Sequence, residues 1–179
     1  MSLQGDFQFI EKLTEEFFRR PHVRKILKAI EAAHMTGWEK WLQIEFAEFL
    51  NSHPDIKAWW RESQYLLDKR LVASRKNCAV DFLIHQRYKQ SHIALELKQA
   101  NSPNTCLKNM LIDKKKIASI RSKKFDIRSV WCLGVHKRGD PNEVRRLLTY
   151  HADAKHIDIS LQHHTSTRIA RTEYAYTIF

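Results

Sequence analysis

Apolar residues recur at three- and four-residue intervals through the first third of the chain, at Phe7, Ile10, Phe17 and Phe18 and again at Val23, Leu27 and Ile30. That spacing lines one face of an α-helix and predicts two helices parted at Pro21, an N-terminal helical segment over 4–33. A third helix is expected from about Thr36, with the Thr36 hydroxyl as cap, Glu39 reaching back to the first turn, and Trp38, Leu42, Phe46 and Phe49 as apolar stripe. It is expected to end between Asn51 and Pro54.

Past that point the period changes to two. Strands are predicted over 63–68, 78–86 and 91–99. Pro103 then precedes a helix over 104–121, and the apolar run 127–135 reads as a strand buried on both faces. Asp140-Pro141 opens another helix, with Val144, Leu147 and Leu148 on one side and an end near His151. Segments 156–162 and 168–179 alternate and are expected to extend the sheet. The order predicts one α/β domain over 1–179 with a central mixed sheet flanked by helices: a core over about 36–137 and a C-terminal helix with strands over 140–179.

Composition narrows the setting. No run reaches the roughly 18 apolar residues of a membrane span, and the N-terminus lacks the order of a signal peptide, so a soluble, cytoplasmic protein is expected. Cys78, Cys106 and Cys132 are odd in number, far apart and in apolar surroundings, which suits buried thiols better than disulfides. His163-His164 lacks zinc-site spacing, and only four glycines argue against phosphate-cradling loops. Lys and Arg outnumber Asp and Glu by 31 to 20, a net charge of +11, which favours a polyanion, nucleic acid first, over a merely solvated basic surface or a membrane-surface patch.

The chemistry concentrates in Ala79-Val80-Asp81-Phe82-Leu83-Ile84 and Ile93-Ala94-Leu95-Glu96-Leu97-Lys98. Alternation puts Val80, Phe82 and Ile84 on one face and Asp81 on the other; likewise Ile93, Leu95 and Leu97 oppose Glu96 and Lys98. With a hairpin turn over 87–90, counting back places Asp81 about opposite Glu96. Like charges so placed repel unless a cation or a proton lies between them, and Mg²⁺ suits such oxygens. Lys98 beside them is suited to orient, or help deprotonate, a water. Glu45 interrupts the apolar stripe of the third helix and is expected to point inward. Each residue has a plain reading: a strand-start acid, a solvent-facing pair on an edge strand, a helix-surface charge. Those readings suffice singly and do not suffice for the set with its basic excess.

A helical acid, Asp at a strand start, Glu-x-Lys in the next strand, then a helix and a buried strand together resemble the PD-(D/E)XK, or restriction-endonuclease-like, nuclease superfamily. The resemblance covers about residues 36–137, with Gln43 before Glu45 adding to it, Asp113 at an auxiliary polar position and Val80 where the family pattern has proline. It implies Glu45, Asp81, Glu96 and Lys98 as catalytic residues. Asp81, Glu96 and the Leu97 carbonyl would hold Mg²⁺, or Mn²⁺ in its place, with Glu45 helping. The implied reaction is endonucleolytic hydrolysis of DNA to a 5′-phosphate and a 3′-hydroxyl, with no membrane partner and, by analogy, a homodimer for cutting both strands.

Gln43, Lys69, Arg70, Arg75, Lys76, Lys114 and Lys115 are candidate nucleic-acid contacts, as are the basic runs at 121–124 and 145–146, although the lysines of the 104–121 helix also suit the solvent side of a core stripe. Trp59-Trp60 suits base stacking or, better, the core. Two other readings stay open: a catalytically idle nucleic-acid-binding module of this fold, and a toxin or effector nuclease.

Overall fold

The computed structural model describes residues 2–67, 77–118, 120–122 and 126–179. Three helices come first: α1 (Leu3–Arg19), α2 (Pro21–Ala32) and α3 (Glu39–Ser52). A meander follows, β1 (Ile56–Leu67), β2 (Asn77–Gln86) and β3 (His92–Gln99), then α4 (Pro103–Ala118), β4 (Ile120–Ser122), β5 (Ile127–Lys137), α5 (Pro141–Lys155), β6 (Thr165–Arg168) and β7 (Tyr174–Ile178). The strands make one mixed sheet in the order β4-β1-β2-β3-β5-β7-β6. Among the described residues only β3 and β5 pair in parallel, joined through α4 as parallel neighbours require.

Helices cover both faces, as the α/β expectation holds. On one face Phe17, Leu27, Leu42 and Phe46 pack with Phe82, Ile84, Leu95, Leu97 and Tyr176. On the other, Cys106, Met110 and Leu111 of α4 and Leu148 of α5 meet Cys132 and Phe179, while Leu83, Ala94, Ile117 and Ile127 form a neighbouring cluster. Each buried Leu, Ile or Phe contributes about 1.5–3 kcal/mol, and the two layers together hold the sheet. Cys106 and Cys132 are unpaired thiols, as expected, and burial pushes both up to about 12. The side chain of Cys78 lies outside the described residues. Among the described residues no helix is long and apolar enough to cross a membrane.

Two contacts fix how the layers meet. Asp6 of α1 is buried and accepts from Arg128 Nε at 2.9 and 3.0 Å and from Ser129 Oγ at 2.7 Å, pinning α1 to β5. Gly134 of β5 lets α4 come close: a Cβ there would lie 2.3 Å from Met110 Sδ and 2.7 Å from Cys106 Sγ.

Several boundaries differ from the sequence reading. β1 starts at Ile56 rather than 63, because Trp59 and Trp60 pack on opposite sheet faces and belong to the strand. The helix α5 runs past His151 to Lys155, where His156 takes a left-handed φ of 52° and ends it. Segment 156–162 is therefore turn and loop rather than strand, and 168–179 divides into the end of β6, a turn and β7. Val80 packs with Leu83 and Ala94 instead of sharing a face with Phe82 and Ile84. Alternation breaks beside Asp81, where Arg61 partners Phe82 and Ser63 partners Val80 while Glu62 between them has a φ of 52°.

Candidate active site

The turn over 87–91 aligns β2 and β3 so that Phe82 pairs with Leu95, Leu83 with Ala94 and Ile84 with Ile93. The next step of that register sets Asp81 against Glu96, as counted from the sequence. Instead of ordinary ladder bonds, each carboxylate here takes a backbone donor across the strands. Asp81 N donates to Glu96 Oε1 at 3.2 Å, and Leu97 N donates to Asp81 Oδ2 at 3.0 Å. Asp81 Oδ1 and Glu96 Oε2 accept no hydrogen bond among the described residues.

Burial makes this pair costly when both are charged. Glu96 is 2% exposed; loss of solvent, then the charge of Asp81, push its carboxyl up to about 8. Burial also raises Asp81, while the Leu97 N–H works the other way. Buried Glu96 and half-buried Asp81, each with one oxygen tied to a backbone N–H and one left over, could hold a hard divalent cation, which would replace their repulsion with attraction.

Lys98, two residues along β3 and so on the same face as Glu96, is held by two acids. Its Nζ lies 2.9 Å from Asp113 Oδ2 of α4 and 3.5 Å from Glu39 Oε1 of α3. Burial opposes its charge, but the hydrogen bond and charge of Asp113, then Glu39 and Asp81, hold Lys98 above its ordinary range. Asp113 in turn takes Lys116 Nζ at 3.0 Å, and Glu39 Oε2 accepts from Gln99 N at 3.1 Å. The cluster thus brings Asp81, Glu96, Glu39 and Asp113 round Lys98 and Lys116, an acidic excess that leaves room for added positive charge.

The helical acid of this cluster is Glu39, not Glu45. At about 100° per residue Glu45 lies about 120° round α3 from Glu39, whereas Gln43 and Phe46 share its side. Glu45 Oε2 meets His22 Nε2 of α2 at 3.0 Å, and with Glu48 these form a separate group whose ligand atoms lie within 4.8 Å of one another. Reading Thr36 as the cap disguised Glu39 as a capping glutamate. The helix begins at Glu39 itself, after Trp38, with no side-chain cap. A glutamate and a glutamine four apart on the core side, Glu39 and Gln43, were the available signal.

Other sequence candidates fall differently. Asp113, expected only as an auxiliary, is the closest partner of Lys98. Gln43 is buried and its Oε1 accepts from Arg61 at 3.1 Å, a structural contact. Lys114 lies over the Phe179 ring at 5.3 Å and Lys115 donates to the Lys155 carbonyl at 3.2 Å, so Lys116 is the member of that run directed to the cluster. Lys69, Arg70, Arg75 and Lys76 lie outside the described residues. Leu97 buries its side chain in the core and gives its N–H to Asp81.

Compared with protein-family models, with curated proteins and with solved structures, the chain finds no match in any of the three.

Proposed function

We propose that this chain is a Mg²⁺-dependent nuclease of the PD-(D/E)XK, restriction-endonuclease-like class. The observation that carries the reading is the pairing of half-buried Asp81 with buried Glu96 beside a lysine that is itself held by acids from both helix layers. The order α3, β1–β3, α4 and β5 parallel to β3 supports it as well.

Asp81, Glu96 and the Leu97 carbonyl would hold the ion, with Glu39 in the helical position first assigned to Glu45. When bound, a divalent ion there neutralises charge at the phosphate and eases ionisation of a nearby water. Glu96 would give up its proton to such an ion, since its carboxyl otherwise stays protonated up to about pH 8. Lys98 remains charged throughout the neutral range, so it acts as a hydrogen-bond donor that orients the attacking water or a phosphate oxygen, and not as a base. Asp113 and Glu39 position it. In hydrolysis the water oxygen bonds to phosphorus as the P–O3′ bond breaks, giving a 5′-phosphate and a 3′-hydroxyl. DNA is the substrate that the resemblance implies.

The test is incubation with supercoiled plasmid, linear single-stranded DNA and RNA, in Mg²⁺ or EDTA, beside Lys98→Ala. Metal-dependent cleavage lost in Lys98→Ala is the expected result, and the substrate cut fixes the polymer. Binding without cleavage by the wild type would overturn the nuclease reading in favour of an idle binding module.

A further inference from the structure

Away from the carboxylate cluster, Pro21, Arg24, Lys25 and Lys28 of α2 and Arg171 of the β6–β7 turn line a cleft of about 210 Å³. No acid lines it. Val23, Leu27 and Ile30 bury the opposite face of α2, so the helical period directs these cations outward together. Arg24 and Lys28 are four apart, a spacing at which like charges repel. None of the four cations has an ion pair among the described residues. Acids on the neighbouring segments are engaged elsewhere: Glu48 takes Arg20, Glu45 takes His22, Glu31 accepts from the Glu173 N–H, and the Glu173 carboxylate meets Arg138 at 3.7 Å. The cleft therefore concentrates positive charge without an internal counter-charge.

Its place in the fold relates it to the cluster. Gln99 pairs with Val135 and Lys137 with Tyr174, so the β6–β7 turn stands at the end of the sheet where β3 finishes with Lys98 and Gln99. At that end Tyr174 packs edge-on against Trp38 at 5.3 Å, next to Glu39. The turn carrying Arg171 is two to three strands across from β3, about 10–14 Å at ordinary strand spacing. One nucleic-acid strand covers that distance in about three to four nucleotides at 3.4 Å per phosphate.

We infer that the cleft between α2 and the β6–β7 turn binds the phosphate backbone of a nucleic-acid strand whose scissile bond lies at Asp81, Glu96 and Lys98. The occupant rests on the proposed nuclease reading; the charge and shape of the cleft do not. Contacts of this kind hold the strand in register without reading bases.

The experiment measures binding of a labelled single-stranded and a labelled duplex oligonucleotide by anisotropy, in EDTA so that nothing is cut, across a salt series. Arg24→Ala/Lys25→Ala/Lys28→Ala/Arg171→Gly is compared with Lys57→Ala/Lys89→Ala, which removes charge at the opposite end of the sheet. Glycine is used at 171 because Arg171 has a φ of 63°. The fourfold variant should bind roughly tenfold or more weakly, with the slope of log K against log salt reduced by about 2–4, while the control moves little. Unchanged affinity and slope, an equal loss in the control, or no binding by the wild type would overturn the inference. So would loss of binding to anionic phosphatidylserine vesicles with oligonucleotide binding intact, which would assign the cleft to a membrane surface. Thermal melts of each variant separate misfolding from lost contacts; if the fourfold variant melts early, Lys25→Ala/Lys28→Ala, both exposed, carries the test with a slope reduced by about 1–2. If the wild type cuts nothing yet its binding depends on these four residues, the cleft stands and the catalytic reading fails.

Discussion

Asp81 and Glu96 hold each other through the backbone: the N–H of Asp81 donates to the Glu96 carboxylate, and the N–H that follows Glu96 donates to the Asp81 carboxylate. The strands thereby fix two side chains whose charges oppose one another once Glu96 ionises, above about pH 8.

Glu96→Gln removes the repulsion while keeping an acceptor for the Asp81 N–H. In EDTA above about pH 8 this variant should melt higher than the wild type, and Mg²⁺ should no longer raise its melting temperature. Cleavage should fall by on the order of 10²–10³-fold. Equal melting curves for the two proteins in EDTA would show that the pair is not strained.

The same pair sets a pH dependence. The Glu96 carboxyl rises from an ordinary 4.5 to about 8 in the folded protein, chiefly through burial and then through Asp81. Between those values the metal-free folded state binds more protons than the unfolded chain, so stability is greatest at the acid side and is lost as pH rises through about 8. Differential scanning calorimetry in EDTA should show melting temperature falling across that window, and the Mg²⁺-induced increase should grow over it. A flat profile would contradict the burial of an ionisable Glu96.

Glu39 and Glu45 separate by mutation. Glu39→Gln weakens the hold on Lys98 and should slow cleavage about 10–100-fold, with little change in KM. Glu45→Gln alters the group with His22 and Glu48 on the α2–α3 flank and should stay within about threefold. The opposite ranking in single-turnover assays would restore Glu45 to the site.

Gly134→Ala forces a methyl against Met110 and Cys106 and should cost about 1–3 kcal/mol in urea denaturation. Because Gly134 is the β5 partner of Lys98, displacement of α4 should also loosen the Asp113 contact and lower activity. Adding Met110→Ala should cost less than the sum of the two single changes, since both act on one contact.

Asp6→Ala leaves Arg128 buried without its carboxylate, both side chains being 9% exposed. A loss of about 3–5 kcal/mol is expected. Arg128→Ala should be comparably harmful, and a change under about 1 kcal/mol for either would remove the ion pair from the account of how α1 is held.

What the sequence disclosed follows the range of the forces involved. Asp81, Glu96 and Lys98 were legible because a strand sorts neighbouring residues onto two faces, and a tight turn carries that sorting to the next strand. Glu39 was hidden by a local motif with a sufficient explanation of its own, the capping box from Thr36, and its contact with Gln99 spans 60 residues. The Asp6–Arg128 pair spans 122 residues and leaves no periodic trace. Segment 156–162 alternates like a strand, yet β6 and β7 pair with each other and occupy that edge of the sheet. Pattern reports which face a residue prefers; it does not report which distant element claims that face.

Lys98 takes one acid from α3 and one from α4, helices that lie on opposite sides of the sheet. Its ammonium group is consequently a clasp between the two outer layers, and the geometry of the proposed chemistry depends on both being seated. A partial opening in which either layer lifts would disarm the proposed site while the sheet still stood, so loss of cleavage on warming should precede loss of strand signal.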